Sequence, residues 1–362
     1  MSVQGCSHRL ESHRQRKGLV LKKIEIQGDT RHSQIFVGER IENLASYLKH
    51  KQVVIITDDN VARFYQKDFP KADVIRIGTG ERVKTLETVE RIYQQLIELE
   101  AARSVFLLGI GGGIVCDITG FAASTYLRGV DFGYVPTTLL AQVDASVGGK
   151  TGVNFMGYKN MVGVFSQPEF VVCDPVVLKT LPRREFVSGF AEIVKHAAIA
   201  DESYFTYLED NAANALAQEP EVLQQIIYDS VVIKAEVVNR DETEKGERRK
   251  LNFGHTFGHA VEKTAGIPHG EAVSIGMIVA SLLSMNKELL TEKEVDRIRH
   301  LLALFNLPVE IKGDKTKIVD ALAKDKKRTG DSIYCVLLAG IGQAVVEKIT
   351  LAELKRVLTG IA

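Results

Sequence analysis

The sequence predicts an α/β fold in which a half built on a doubly wound sheet is followed by a mainly α-helical half. Between Leu19 and about Pro175, short β-branched runs alternate with longer amphipathic stretches, the pattern of a sheet layered with helices. From Arg184 onward the periodicity is almost wholly helical. The length of 362 residues suits two domains of about 100 to 200 residues each. The boundary falls near Pro175 to Pro182, where two prolines punctuate the chain. This gives domains at 19–178 and 179–362 behind an extension at 1–18.

In chain order, strands are expected at Val20 to Ile26, Gln52 to Thr57, Val74 to Ile77, Val105 to Gly109 and Phe132 to Val135. Helical spacing at Ile41 to Lys49, Asn60 to Lys67 and Leu86 to Glu100 supplies connections long enough for parallel crossovers. In the second half Glu221 to Asn239, Ala272 to Lys287 and Glu292 to Phe305 read as helices, and Ser332 to Leu338 and Ala344 to Val346 as strands. The first 18 residues are polar and basic, with no apolar secretory core. They read as a disordered extension.

Composition excludes several classes of partner. With 45% hydrophobic and 25% charged residues, the chain is an ordinary globular protein and neither disordered nor fibrous. Forty-six basic residues balance 46 acidic ones, so no global field draws it to nucleic acid or to a membrane surface. The charge-free stretch from Ala272 to Asn286 is too short to span a bilayer. Cys6, Cys116, Cys173 and Cys335 are scattered without a CxxC pair, which points to a reducing cytoplasm.

Three groups of residues carry chemistry. Gly109-Ile110-Gly111-Gly112-Gly113 lies between an apolar strand and a helix-compatible run, where backbone amides at a helix start can receive a pyrophosphate. Ile114 stands where the usual dinucleotide fingerprint has its last glycine, and a mere tight turn serves as well. Asp58 and Asn60 follow one strand, and Gly80, Glu81 and Lys84 another. These are places where open sheets bind ligands, although Asp58 also suits a helix cap. The second group is histidine. His255 and His259 share a helix face at i, i+4, but Thr256 after the first removes the zinc-protease reading. His269 and Glu192 complete a possible Glu plus two His metal site, against satisfied core histidines. The third group is basic: Arg128, Lys150, Lys159, Lys195, Lys234, Arg248 and Lys326 stand beside glycines, asparagines or apolar residues. Together they suit an anionic substrate, while singly each suits a salt bridge.

With those residues in view, the chain resembles the 3-dehydroquinate synthases of the shikimate pathway from about Leu19 to its end. The resemblance rests on GGGIVCDITGFAASTYLRG, VPTTLLAQVDASVGGKTGVN, YKNMVG, SGFAEIVKH, DETEKGERRKLNFGHTFGHA, HGEAVSIGM and AKDKK in that order. It implies a Rossmann-like α/β nucleotide-binding domain followed by a mainly α-helical metal-binding domain. It also implies catalytic NAD and one zinc or cobalt ion per chain, held by Glu192, His255 and His269. Implied NAD contacts are Asp58, Asn60, Glu81, Lys84, Gly112, Gly113, Asp117, Thr137, Thr138, Thr180 and Leu181, with Gly80, Lys150 and Lys159 beside them. Implied substrate contacts are Asp144, Lys150, Lys159, Asn160, Lys195, Lys234, Arg248, Asn252, His259 and Lys326. Arg128 is implied to act from the neighbouring subunit of a homodimer.

The implied reaction turns 3-deoxy-D-arabino-heptulosonate 7-phosphate, an anionic sugar-acid phosphate, into 3-dehydroquinate and phosphate. Its steps are oxidation by NAD, phosphate elimination, reduction, ring opening and intramolecular aldol closure. Two departures from the family pattern, Phe-Met-Gly-Tyr-Lys between Asn154 and Asn160 and alanine at Ala145, remove no charged contact. Retention of Lys234, Arg248, Asn252, His259 and Lys326 argues against a sister sugar-phosphate cyclase, though an amino-substituted version of the same substrate stays open. A metal-dependent polyol dehydrogenase would not need so many cations, and an inactive binding scaffold would have lost a ligand or a lysine.

Overall fold

The computed structural model describes residues 20–28, 31–49, 52–310, 318, 328–329 and 332–360. The basic extension at 1–18 and Lys326 lie outside the described residues. Val105–Gly111 (β5) is buried along its whole length, as an unbroken apolar run flanked by parallel neighbours must be. Around it lies a seven-stranded sheet in the order β1-β2-β9-β6-β5-β3-β4. The other strands are Lys22–Gln27 (β1), His32–Val37 (β2), Gln52–Thr57 (β3), Asp73–Arg76 (β4), Asp131–Pro136 (β6) and Phe170–Cys173 (β9). Lys150–Phe155 (β7) and Tyr158–Phe165 (β8) form a separate antiparallel hairpin.

The sheet is mixed: β1 and β2 pair antiparallel, and all its other pairs are parallel. Sequence reading did not foresee β2, β9 or the hairpin. The expected helix at Ile41 to Lys49 is only a 3-10 segment, Ile41–Ser46. Asp59–Tyr65 (α1), Leu86–Glu98 (α2) and Gly113–Thr125 (α3) supply the helical layers of this half. Asp58 and Thr85 cap the first two by accepting from the amides of Val61 and Thr88, satisfying donors that helix starts leave free.

Beyond Cys173 the chain is mainly helical: Arg183–Ala200 (α4), Glu202–Leu216 (α5), Pro220–Arg240 (α6), His255–Ala265 (α7), His269–Asn286 (α8) and Glu292–Leu304 (α9). Strands Arg328–Thr329 (β10), Ser332–Leu338 (β11) and Ala344–Thr350 (β12) form a small antiparallel sheet, followed by a last helix, Leu351–Gly360. β12 runs four residues beyond its expected end at Val346. Every residue of α4 from Phe186 to Ile199 is buried, and α8 is buried on all sides over most of its length. Such helices have no solvent stripe. Polar residues on them, Glu192, Lys195 and His196, therefore stand inside the protein.

Glycines allow these helices to approach. A Cβ on Gly270 would run into the Ser188 carbonyl, and one on Gly258 would come within 3.1 Å of the α8 backbone at Ala272 and Val273. Gly254, at φ +79°, starts α7 in a backbone conformation that disfavours a side chain. The starts of α7 and α8 thereby converge on the middle of α4.

Candidate active site

The glycine turn closes β5 and opens α3. A Cβ on Gly112 would meet the Thr138 methyl at 3.0 Å, and one on Gly113 would meet Ala145 at 3.1 Å, so a side chain at either position would crowd its neighbour. Asp117, in the first half of α3, pairs with Lys84, which also donates to Asn160 at 2.5 Å. Burial pushes the Asp117 carboxyl up to about 6, against the downward pull of Lys84. Asn154 donates to Glu81 (2.8 Å) and accepts from the Asn160 amide (2.9 Å), which ties the hairpin to the loop after Gly80. The Thr137 amide donates to Gly111 (2.9 Å). Asp58 caps α1, Asn60 is exposed on it, and its Tyr65 bonds Thr180 at 2.8 Å, beside half-buried Leu181.

Glu192, His255 and His269 come together from three helices, with their ligand atoms within 4.8 Å of one another. Nε2 of each histidine lies 3.5 Å from Glu192 Oε1. That oxygen is buried and has no hydrogen-bond partner, while the other carboxylate oxygen accepts from Lys195. Tetrahedral bonds of about 2.0 to 2.2 Å put ligand atoms roughly 3.4 Å apart, so the set fits a divalent cation such as zinc or cobalt. His255 Nδ1 faces the Phe253 carbonyl (3.2 Å) and His269 Nδ1 faces Glu262 (3.1 Å), the outer partners that ligating histidines have. Burial would raise the Glu192 carboxyl, but Lys195 and the histidines hold it well below the usual range. Burial holds His255 well below an ordinary histidine, whereas the two carboxylates lift His269 to about 9 despite its burial. A second acidic group, Asp144, Glu192 and His196, is less suited to a cation, because Lys234 and Lys195 already engage its carboxylates.

The expected cations line the same region. Lys234 donates to the Asp144 carboxylate and to its main-chain oxygen (2.6 Å). Burial draws this amine down to about 8, with Asp144 acting against it. Lys150 pairs with Glu244, which also accepts from Asn252 at 2.5 Å. Lys159 pairs with Glu262. The salt-bridge reading therefore holds for Lys150, Lys159, Lys195 and Lys234, and Lys84 is paired as well. Arg248 differs. Only 2% exposed, it donates to the carbonyls of Glu242 and Gly148 (2.8 Å to the latter). Its Nε is buried without a partner, and it makes no ion pair among the described residues. His259 is exposed, its ring 5.4 Å from that of His255 and 6.2 Å from that of His269, beside the three ligand atoms and not among them. Arg128 is exposed at φ +68° in the Tyr126–Arg128 turn and pairs with no described acid.

Glu262 and Glu244 escaped the sequence reading. Glu262 lies seven residues after His255, on the same helix face, and that spacing was the available signal. Glu244 lies inside the DETEKGERRK stretch, but its spacing there singles out no role.

Two family models match, described as 3-dehydroquinate synthase N-terminal over residues 74–188 and 3-dehydroquinate synthase C-terminal over 189–328. The chain belongs to the 3-dehydroquinate synthase family. A 3-dehydroquinate synthase of Shewanella halifaxensis is 42% identical over 339 residues, covering 89% of this chain and 94% of that one. Among solved structures, 2-deoxy-scyllo-inosose synthase complexed with carbaglucose-6-phosphate, NAD+ and Co2+ is similar at a TM-score of 0.83 and 29% identity, covering 94% and 100% of the two chains. A 2-epi-5-epi-valiolone synthase from Streptomyces hygroscopicus subsp. jinggangensis 5008 with NAD+ and Zn2+ bound is similar at 0.82 and 29%, covering 97% and 98%. Family membership agrees with the resemblance read from the motifs, and both structural relatives carry NAD+ and a divalent metal.

Proposed function

We propose that the chain converts 3-deoxy-D-arabino-heptulosonate 7-phosphate into 3-dehydroquinate and phosphate, with residues 19–178 as the NAD-binding domain and 179–362 as the metal- and substrate-binding domain. The observation that carries this reading is the convergence of Glu192, His255 and His269 on one point, with Lys195, Lys234 and the unpaired Arg248 set around them. When bound, NAD supplies reversible hydride transfer, and the divalent metal acidifies a substrate hydroxyl.

The chain's own residues hold one anionic molecule through several steps. Arg248 offers planar donors to carboxylate or phosphate, and Lys195 and Lys234 act as point charges whose fields are strong because both are buried. Lys150 and Asn252 share Glu244 and present a polar edge to the same molecule. His259, beside the metal ligands and accessible, is placed to bond a substrate hydroxyl. Asp117, Lys84, Glu81 and the Gly112-Gly113 turn are assigned to the nucleotide, as are Asp58, Asn60, Gly80, Thr137, Thr138, Thr180 and Leu181. Lys159 and Asn160 on the hairpin serve both ligands, and Asp144 orients Lys234. The reading includes Lys326 as a further anion contact and a homodimer in which Arg128 reaches the neighbouring site. Cys116, Cys173 and Cys335 stand as buried thiols, which suits a reducing cytoplasm, and no described helix is long and apolar enough to cross a membrane.

The test is phosphate release from the heptulosonate phosphate by purified protein with NAD and zinc or cobalt. Phosphate should accumulate with no steady growth of reduced-nicotinamide absorbance. NADH formed in proportion to product would support a polyol dehydrogenase instead. Turnover of an amino-substituted analogue alone would move the substrate assignment.

A further inference from the structure

We infer that Glu262 is a positioning residue for the metal site, fixing His269 through its Nδ1 and joining it through Lys159 to the β7–β8 hairpin. The inference rests on the reading of Glu192, His255 and His269 as metal ligands. A neutral imidazole carries one proton, and its other nitrogen holds the lone pair that binds a metal. Glu262 Oε2, 3.1 Å from His269 Nδ1, accepts that proton's hydrogen bond and leaves Nε2 free toward Glu192. The two histidines are held differently. His255 is backed by a main-chain carbonyl of its own segment. His269, half-buried at the start of α8, is backed by a carboxylate on α7, so α7 supplies one ligand and the support of the other.

The second carboxylate oxygen of Glu262 accepts from Lys159 Nζ at 2.5 Å. The next residue along β8, Asn160, accepts from Lys84, which holds Asp117 on α3. Asn160 has a left-handed backbone, φ +50°, in the stretch where the β7–β8 register shifts between Val153 and Phe155, so its side chain departs from that of Lys159. Two adjacent residues of β8, beside a turn in which Met156 is 82% exposed, thus reach Glu262 with one side chain and Lys84 with the other. Any shift of the hairpin is transmitted to the orientation of His269.

The test is the affinity of metal-free full-length protein for Zn2+ and Co2+, measured by competition with a chromophoric chelator, with the visible spectrum of the Co2+ form as a second readout. Glu262→Ala should weaken binding about ten- to a hundred-fold and alter the Co2+ spectrum. Glu262→Gln, which keeps an oxygen acceptor for Nδ1, should lose less. Lys159→Met should weaken binding by a smaller factor and add nothing in the Glu262→Ala background. Wild-type affinity and spectrum in a folded Glu262→Ala protein would overturn the inference and reduce the contact to a surface ion pair. Additive losses in the double variant would overturn the link through Lys159. Failure of the wild type to bind one ion per chain, or undiminished binding by Glu192→Ala, would instead remove the metal reading beneath it.

Discussion

The carbonyl oxygen of Gly254 occupies the place where a side chain on Gly276 would have to go, and the Gly258 nitrogen lies 2.7 Å from the same point. Helices α7 and α8 therefore touch backbone to backbone one residue before His255 and seven residues after His269.

Gly276→Ala must push these helices apart. Overpacking of this kind costs about 1 to 3 kcal/mol, and here it also separates two metal ligands held on opposite sides of the contact. Urea unfolding should show the loss of stability, and metal analysis should show a weakened site. Wild-type stability and metal content together would mean that the contact relaxes without consequence.

Arg248 is buried beside anions it does not pair with. Arg248→Ala should lower kcat/KM by about 2 to 5 kcal/mol if the substrate group it faces becomes buried and unpaired. Lysine should not restore the rate, because it lacks the planar donor geometry. Steady-state kinetics on a variant with an unchanged circular dichroism spectrum decides this, and unaltered kinetics would make Arg248 a purely structural cation.

His196 is fully buried, bonded to Ser230 at 2.7 Å, and faced by Lys195, Asp144, Glu192 and Lys234. Burial, helped by Lys195, holds its imidazole down at about 3. Between pH 6.5 and 3 the unfolded chain therefore binds a proton that the folded chain refuses. Its contribution is complete above pH 6.5 and falls by about 1.4 kcal/mol per pH unit below it. From pH 6.5 to 5 the wild type should lose roughly 2 kcal/mol more stability than His196→Gln. Parallel losses in urea titrations of the two proteins would show that His196 is not the group responsible.

Arg128 pairs with nothing described in its own chain. Mixing inactive Arg128→Ala chains with inactive Glu192→Ala chains should restore activity on subunit exchange, because a heterodimer then keeps one intact site. Demonstrated exchange without recovery would place Arg128 in the site of its own chain.

The parts of the fold that were legible in the sequence are those with a strong local signature. β3 lies where its β-branched run predicts, and the i, i+4 histidines share a helix face as expected. β9 is only four buried residues, too short to distinguish from any apolar run. Most of β8 is exposed and has no alternation to read. Ile41 to Lys49 has helical spacing but closes early in a tight 3-10 turn. In the site, His255 and His259 are neighbours by spacing alone, whereas Glu192 reaches them only through the packing of α4, and family resemblance bridged that distance.

The hairpin β1–β2 places an unusual demand on synthesis. Its inner edge pairs with β9, Gln34 opposite Phe170. Its ends are held by α6, where Gln224 donates to the carbonyls of Val20 (2.5 Å) and Val37 (3.1 Å) and Asn239 accepts from the Gln27 amide (2.8 Å). These strands, the earliest among the described residues, thus complete their contacts only after residues 224 and 239 have been made, a delay of roughly 10 to 40 s at ordinary elongation rates. Until β9 has been made, the inner edge of β2 has no partner and is a template for wrong ones. Elongation speed through the intervening residues, more than the stability of the finished protein, sets how many nascent chains are exposed to that risk.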